Sequence, residues 1–168
     1  DVFLKSKINS KRVQYITNAS SDFLWVGTDD GVYVYFTDKS GSIHEMSHYN
    51  FHFPNYTDEQ SNYVYSINEI NNEHLFILCK SGIIELDITK GFENASYKLL
   101  QSKGQELEFP RTLLAENILN TNYVIGTNDG IRFIDKNNEL TDTKFLEGKV
   151  VRSCFKDSFG SLWLGTEN

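Results

Sequence analysis

Between His44 and Tyr56 the chain gathers three of its four histidines and four aromatic rings, in the run His44-Glu45-Met46-Ser47-His48-Tyr49-Asn50-Phe51-His52-Phe53-Pro54-Asn55-Tyr56. Aromatic rings stack on the apolar faces of sugars, and His and Asn side chains supply directional hydrogen bonds. The stretch therefore carries the chemistry of a carbohydrate or small-ligand surface, with His48, Tyr49, Phe51, His52 and Tyr56 as the candidate contacts. A metal reading starts from His48 and His52, which fall on one face of an extended segment. No carboxylate completes a convincing ligand set with them, so no metal is expected. The third reading is structural, an outer strand whose aromatics cover the sheet, followed by an ordered loop.

Whatever this stretch does, repeated elements must hold it. One phrase recurs along the chain: Leu24-Trp25-Val26-Gly27-Thr28-Asp29-Asp30-Gly31, then Leu75 to Gly82, Tyr123 to Gly130, and Leu162 to Asn168. Its turn glycines, Gly31, Gly82 and Gly130, are spaced by about 50 residues, the length of one four-stranded propeller blade. Each unit opens with an apolar strand: Val13 to Thr17, Tyr63 to Ile67, Arg111 to Ala115 or Val150 to Phe155. The signature strand follows, then a turn at Asp30-Gly31, Ser81-Gly82 or Asp129-Gly130, a hairpin signal because glycine tolerates positive φ. Third strands are expected at Val32 to Phe36, Ile83 to Asp87 and Ile131 to Asp135, and polar fourth strands near Ser42 to Tyr49, Ser96 to Gln101 and Thr143 to Glu147. The units are 13–61, 62–109, 110–148 and an incomplete 149–168.

The signature strands are apolar at consecutive positions, as expected of strands covered on both faces. Trp25 and Trp163 are expected at equivalent buried positions, and Thr28, Thr127 and Thr166 are expected to hydrogen-bond near their turns. Gly27, Gly126 and Gly165 recur inside the strand, where a missing side chain marks close approach of another backbone. Leu78 stands there in the second unit. With no convincing helical period and only Pro54 and Pro110, the chain reads as all-β.

The 168 residues suffice for a substantial core. A net charge of −7 with scattered Lys and Arg argues against nucleic acid as a partner. No apolar run of membrane-spanning length occurs, so no direct membrane contact is expected of this segment. Cys79 and Cys154 read as small buried hydrophobes, and the sequons at Asn18, Asn55 and Asn94 are only surface hints. No nucleophile triad, Gly-rich phosphate loop or zinc-type Cys spacing appears. No catalytic residue and no cofactor are expected.

The repeat of aliphatic-Trp-aliphatic-Gly-Thr-x-x-Gly-aliphatic, with an Asp-x-x-Gly turn ahead of it as in Asp157-Ser158-Phe159-Gly160, resembles the two-component regulator propeller repeat. The first and fourth units match best, the third replaces Trp with Val124, and the second keeps only Leu75, Phe76 and Gly82. This resemblance implies the periplasmic sensor region of a bacterial hybrid two-component system, in which a seven-bladed propeller precedes a β-sandwich, a membrane helix and a histidine kinase. The chain would then be a β-propeller segment of about three to four four-stranded antiparallel blades within that larger propeller. Its function would be to bind a ligand, an oligosaccharide or other small molecule, or an assembly partner, and to pass the signal to the kinase. The alternative is a propeller that scaffolds protein–protein interaction with no kinase attached. Counting Val2 to Ser6 as an outer strand leaves the last unit without its third strand, so an open arc is expected whose edges pair with a second copy as a homo-oligomer.

Overall fold

The computed structural model describes residues 12–18, 23–54, 56, 61–102, 105–107, 109–118 and 121–167, with the side chains of 101, 102, 105, 106, 117 and 118 left aside. The strand expected at Val2 to Ser6 and the sequon at Asn55 lie outside these residues. The strands are β1 (Val13–Thr17), β2 (Phe23–Thr28), β3 (Gly31–Thr37), β4 (Ile43–Tyr49), β5 (Val64–Asn71), β6 (His74–Cys79), β7 (Gly82–Asp87), β8 (Ser96–Ser102), β9 (Gln105–Glu106), β10 (Thr112–Ile118), β11 (Thr121–Thr127), β12 (Gly130–Ile134), β13 (Val150–Lys156) and β14 (Leu162–Glu167). The helical content of the described residues is the 3-10 turn Phe92–Asn94.

The strands form sheets in the orders β1-β2-β3-β4, β5-β6-β7-β8-β9, β10-β11-β12 and β13-β14. Neighbours in each sheet are successive in sequence, the meander that tight turns between antiparallel strands produce. The protein is therefore all-β and built of propeller-type blades. Two compact units result, one comprising the described residues up to Lys80 with Ile84–Lys98, the other Ser81–Ile83 with the residues from Leu99 onward.

In the first unit β1 and β2 pack against β5. Gly27 permits this, because a Cβ there would stand 2.6 Å from Cγ1 of Val64. Trp25, Val32, Val34, Phe53 and Val64 are all buried in this unit. The second unit repeats the device: at Gly126 a Cβ would meet Cγ1 of Val151 at 2.8 Å, and Val151 joins Val124, Ile131 and Phe133 in a buried cluster.

The signature turn is held the same way in both units. The Thr28 hydroxyl donates to the Gly31 carbonyl at 3.0 Å and accepts from the Asp30 amide at 3.0 Å. Thr127 does likewise with Gly130, at 3.0 Å, and Asp129, at 2.9 Å. The turn glycine then donates to the chain entering the next sheet, Gly31 to the Asn62 carbonyl and Gly130 to the Lys149 carbonyl. Gly130 has φ of 83°, and a Cβ there would collide with the Phe145 carbonyl.

Two expectations need correction. Trp163 is not buried: it is 62% exposed, against 2% for Trp25. Among the described residues β14 pairs with β13 alone, whereas β2 is flanked by both β1 and β3. A signature strand without its third strand lacks the cover that buries the ring. Thr166 on the same strand is exposed as well. The fourth strand expected near Thr143 to Glu147 is absent as a strand and survives as the bridges Ile131 to Phe145 and Ile134 to Leu140. Leu146 has φ of 57° and Asn138 φ of 60°, and left-handed backbone at these places stops an extended strand.

Candidate functional site

The stretch from His44 to Tyr56 comprises the last strand of the first sheet and the connection that leaves it. On β4 the histidines sit directly across from aromatics of β3, since Phe36 pairs with His44 and Tyr33 with His48. Both pairs stack: the His48 ring lies on Tyr33 at 3.9 Å with planes 9° apart, and His44 on Phe36 at 5.0 Å and 23°. Cross-strand ring pairs of this kind stabilise a sheet face. The His48 Nε2–H donates to the Asp30 carbonyl at 2.7 Å, an acceptor that requires the proton on Nε2 and ties the strand to the signature turn. His44 Nε2 meets Asp38 Oδ2 at 2.8 Å. Asp38 is held well below the usual carboxylate range, first by the Ser40 hydroxyl, then by His44 and by the Ser42 amide.

Beyond β4 the connection is anchored rather than free. The Tyr49 hydroxyl donates to the Phe92 carbonyl at 2.7 Å, and burial pushes its phenol pKa up. Asn62 clamps Phe51 through both backbone groups: its Oδ1 accepts from the Phe51 amide at 2.7 Å and its Nδ2 donates to the Phe51 carbonyl at 3.0 Å. The Phe51 side chain is 4% exposed, and its ring meets Tyr97 edge to face at 5.3 Å and 79°. Phe51 thus packs in the interior, where a soluble ligand does not reach, and the alternation that would have turned it outward ends with β4 at Tyr49. Two residues on, Phe53 is buried too.

His52 is exposed, and its amide donates to the Tyr97 hydroxyl at 3.0 Å. Tyr56 is half-buried, with its amide donating to the Phe53 carbonyl at 3.0 Å. The geometry accordingly divides the candidate contacts. His48 and Tyr49 hold the first sheet and its exit, Phe51 is core, and His52 and Tyr56 remain on the surface side. His48 Nε2 is already engaged, which weakens its use as a metal ligand. Among the described residues no three His, Cys, Asp or Glu side chains gather as a metal set.

Sequence reasoning missed Asn62 and Tyr97. Tyr97 is 44% exposed while its ring packs against Phe51 and its hydroxyl accepts from the His52 amide. That rigid, half-open aromatic face lies more than forty positions from the residues it touches, a separation that no local pattern reports. The sole local signal was its place in an alternating polar strand, Ser96-Tyr97-Lys98. The arrangement as a whole offers a held ring flanked by imidazole and polar backbone, which suits stacking and hydrogen bonding.

A run of antiparallel meander blades, with glycines at the contacts between neighbouring sheets, is the architecture of a propeller-type repeat. Residues 146–168 match the family model described as two component regulator propeller. No curated protein matches the chain. Among solved structures, 89% of the chain matches the extracellular domain of a proposed hybrid two component system, BT4673, from B. thetaiotaomicron, with a TM-score of 0.64 and 20% identity. A second structure of that domain, described as a one component system, matches over 93% of the chain at TM-score 0.66 and 20% identity. The extracellular domain of BT3049 from the same organism, also a proposed hybrid two component system, matches over 94% at TM-score 0.50 and 18% identity. The chain spans 19% and 20% of the two BT4673 structures and 26% of the BT3049 structure. At these identities the likeness establishes the fold.

Proposed function

We propose that the chain is part of the extracytoplasmic sensor of a hybrid two-component receptor, and that it contributes a surface for an oligosaccharide or similar small ligand whose binding is passed to a histidine kinase. The observation that carries this reading is the shared fold with extracellular domains of such systems over about nine-tenths of the chain, joined to the repeat match at 146–168. His52 and the adjoining Tyr97 support the ligand class, since a held aromatic ring with directional polar groups suits a sugar, and Tyr56 is a further candidate contact. Catalysis is not part of this reading.

The test is a titration of the isotope-labelled chain with a panel of neutral hexasaccharides, followed by amide NMR. Saturable shifts around His52 and Tyr56 are expected for at least one member. Absence of saturable binding across the panel overturns the oligosaccharide assignment.

A second reading, association of two copies, is favoured by one observation: Phe155, Phe159 and Trp163 are 61%, 93% and 62% exposed on and beside the β13-β14 sheet. Strand edges and exposed apolar rings of this kind recruit another chain. Sedimentation over a range of concentrations should show a dimer that the double variant Phe159→Ser, Trp163→Ser disperses. A monomer at every concentration excludes it.

A further inference from the structure

On the outer part of the second sheet lies a shallow concavity of about 230 Å³, lined by His74, Glu85, Asp87, Ser96, Tyr97 and Lys98. It is not among the residues that the sequence singled out, and it meets the loop surface through Tyr97. We propose that this concavity is a subsite for one uncharged sugar ring of a longer glycan, with the ring stacked on Tyr97 and its hydroxyls held by the charged side chains around it. The inference rests on the oligosaccharide-sensing reading and gives it an address.

Tyr97 carries the first part of the argument. A stacking platform works when its ring is exposed on one side and immobile, because little side-chain entropy is then lost on binding. Here Phe51, itself 4% exposed, backs the ring at 5.3 Å, and the His52 amide fixes the hydroxyl at 3.0 Å. Tyr97 is nevertheless 44% exposed.

The rest of the lining supplies the second part. A sugar hydroxyl both donates and accepts, so it is best satisfied where acceptor and donor side chains alternate. Glu85 and Asp87 accept, Lys98 donates, and His74 and Ser96 can do either. The Asp87 carboxyl is lowered from its ordinary value, first by the Thr89 hydroxyl and then by the Thr89 amide. Its grip on Thr89 runs through Oδ1, at 2.8 Å from the amide and 2.7 Å from the hydroxyl.

Charge and size narrow the ligand. The carboxylates of Glu85 and Asp87 line the concavity, and they repel uronates and phosphates while admitting a neutral ring. The volume lies below the ~300 Å³ at which pockets for drug-sized ligands begin, so one ring fits and the remainder of a glycan extends along the surface.

The experiment extends the same NMR titration to neutral hexasaccharides and, as the charged control, hexagalacturonate. Expected are saturable shifts at the amides of His74, Tyr97 and Lys98 with a neutral hexasaccharide and none with the uronate. Glu85→Gln and Lys98→Gln, which remove the two charges and leave the Tyr97 anchor intact, should each weaken binding about tenfold. Tyr97→Phe, which keeps the ring face, should retain most of the affinity, and Tyr97→Leu should abolish it. Shifts confined to His52 and Tyr56, or affinity unchanged in both Gln variants, overturn the subsite while leaving the sensing reading in place. No binding of any neutral hexasaccharide overturns both, and preferred binding of hexagalacturonate overturns the uncharged-ring assignment alone.

Discussion

Trp25 and Trp163 occupy the same place in the same repeated phrase, yet one is 2% exposed and the other 62%. The residues beside them are almost identical, Leu-Trp-Val-Gly-Thr against Leu-Trp-Leu-Gly-Thr. What differs is the company. Trp25 faces Val34 across the β2-β3 pairing and lies 5.9 Å from the Phe92 ring. Trp163 faces Phe155, itself 61% exposed, and its indole N–H donates to Asp157 Oδ2 at 2.8 Å. The equivalent positions in the other units, Phe76 and Val124, are fully buried. Burial of a repeat residue is thus a property of its neighbours in the sheet, and a signature strand with one neighbour leaves its aromatic open.

This contrast has its largest consequence for stability. Trp25→Ala should lower the unfolding free energy by about 3 to 5 kcal/mol, the cost of removing a buried large aromatic. Trp163→Ala should change it by no more than about 0.5 kcal/mol, as exposed substitutions do. Urea titrations of both variants measure the difference. Equal losses would mean that Trp163 is packed in solution, and the contrast would break.

Next in size is the glycine that lies two residues after each Trp position. At Gly27 and Gly126 an added methyl would run into Val64 and Val151, both fully buried and β-branched, and at Gly126 also into the Val151 carbonyl at 3.0 Å. Neither neighbour can move away, so Gly27→Ala and Gly126→Ala should each cost about 1 to 3 kcal/mol by overpacking. At Gly165 the nearest atom is the hydroxyl of Ser153, an exposed side chain that can rotate. Gly165→Ala should stay within about 0.5 kcal/mol. Thermal melts of the three variants rank them, and a costly Gly165→Ala would show that another element covers β14.

Much of this was legible in the residues. The repeat placed the starts of the first, signature and third strands to within two residues, because apolar runs and Gly turns are local signals, while β5 and β10 run past their expected ends at Ile67 and Ala115 to Asn71 and Ile118. The Thr28 and Thr127 hydrogen bonds were legible for the same reason. The fourth strand of the third unit was not, since its failure comes from left-handed Leu146, a residue with no sequence cue for that conformation. In the candidate site, the histidines and Tyr49 stand out in the sequence, but their partners do not. Phe51 is buried because Asn62 pulls its backbone in and Tyr97 receives its ring, contacts from 11 residues away and from the far side of the second sheet. Exposure alternates predictably along a strand and stops being predictable where the strand ends.

The smallest effect concerns two aspartates that make the same turn in the two regions. Asp38 Oδ1 accepts from the amides of Ser40 at 2.8 Å and Ser42 at 3.0 Å, and Asp157 Oδ1 from those of Phe159 at 2.9 Å and Ser161 at 2.8 Å. Each Oδ2 holds a ring six residues on, His44 for Asp38 and Trp163 for Asp157. Both carboxyls lie below the ordinary value of 3.8, Asp38 chiefly through the Ser40 hydroxyl and Asp157 chiefly through the Trp163 indole. A carboxyl whose pKa is depressed on folding stabilises the fold above its unfolded value, and that contribution fades as pH falls through the folded value. Asp38→Asn and Asp157→Asn should therefore lower the melting temperature slightly at neutral pH, with the gap to the parent closing below pH 3.8. Trp163→Phe should raise the Asp157 pKa toward the ordinary value while leaving Asp38 untouched, and Ser40→Ala should do the converse. Carbon-13 titration of the two carboxyls reads both shifts directly. If Trp163→Phe leaves Asp157 where it is, the exposed indole is not held by the turn, and that contact of Trp163 is lost from the comparison.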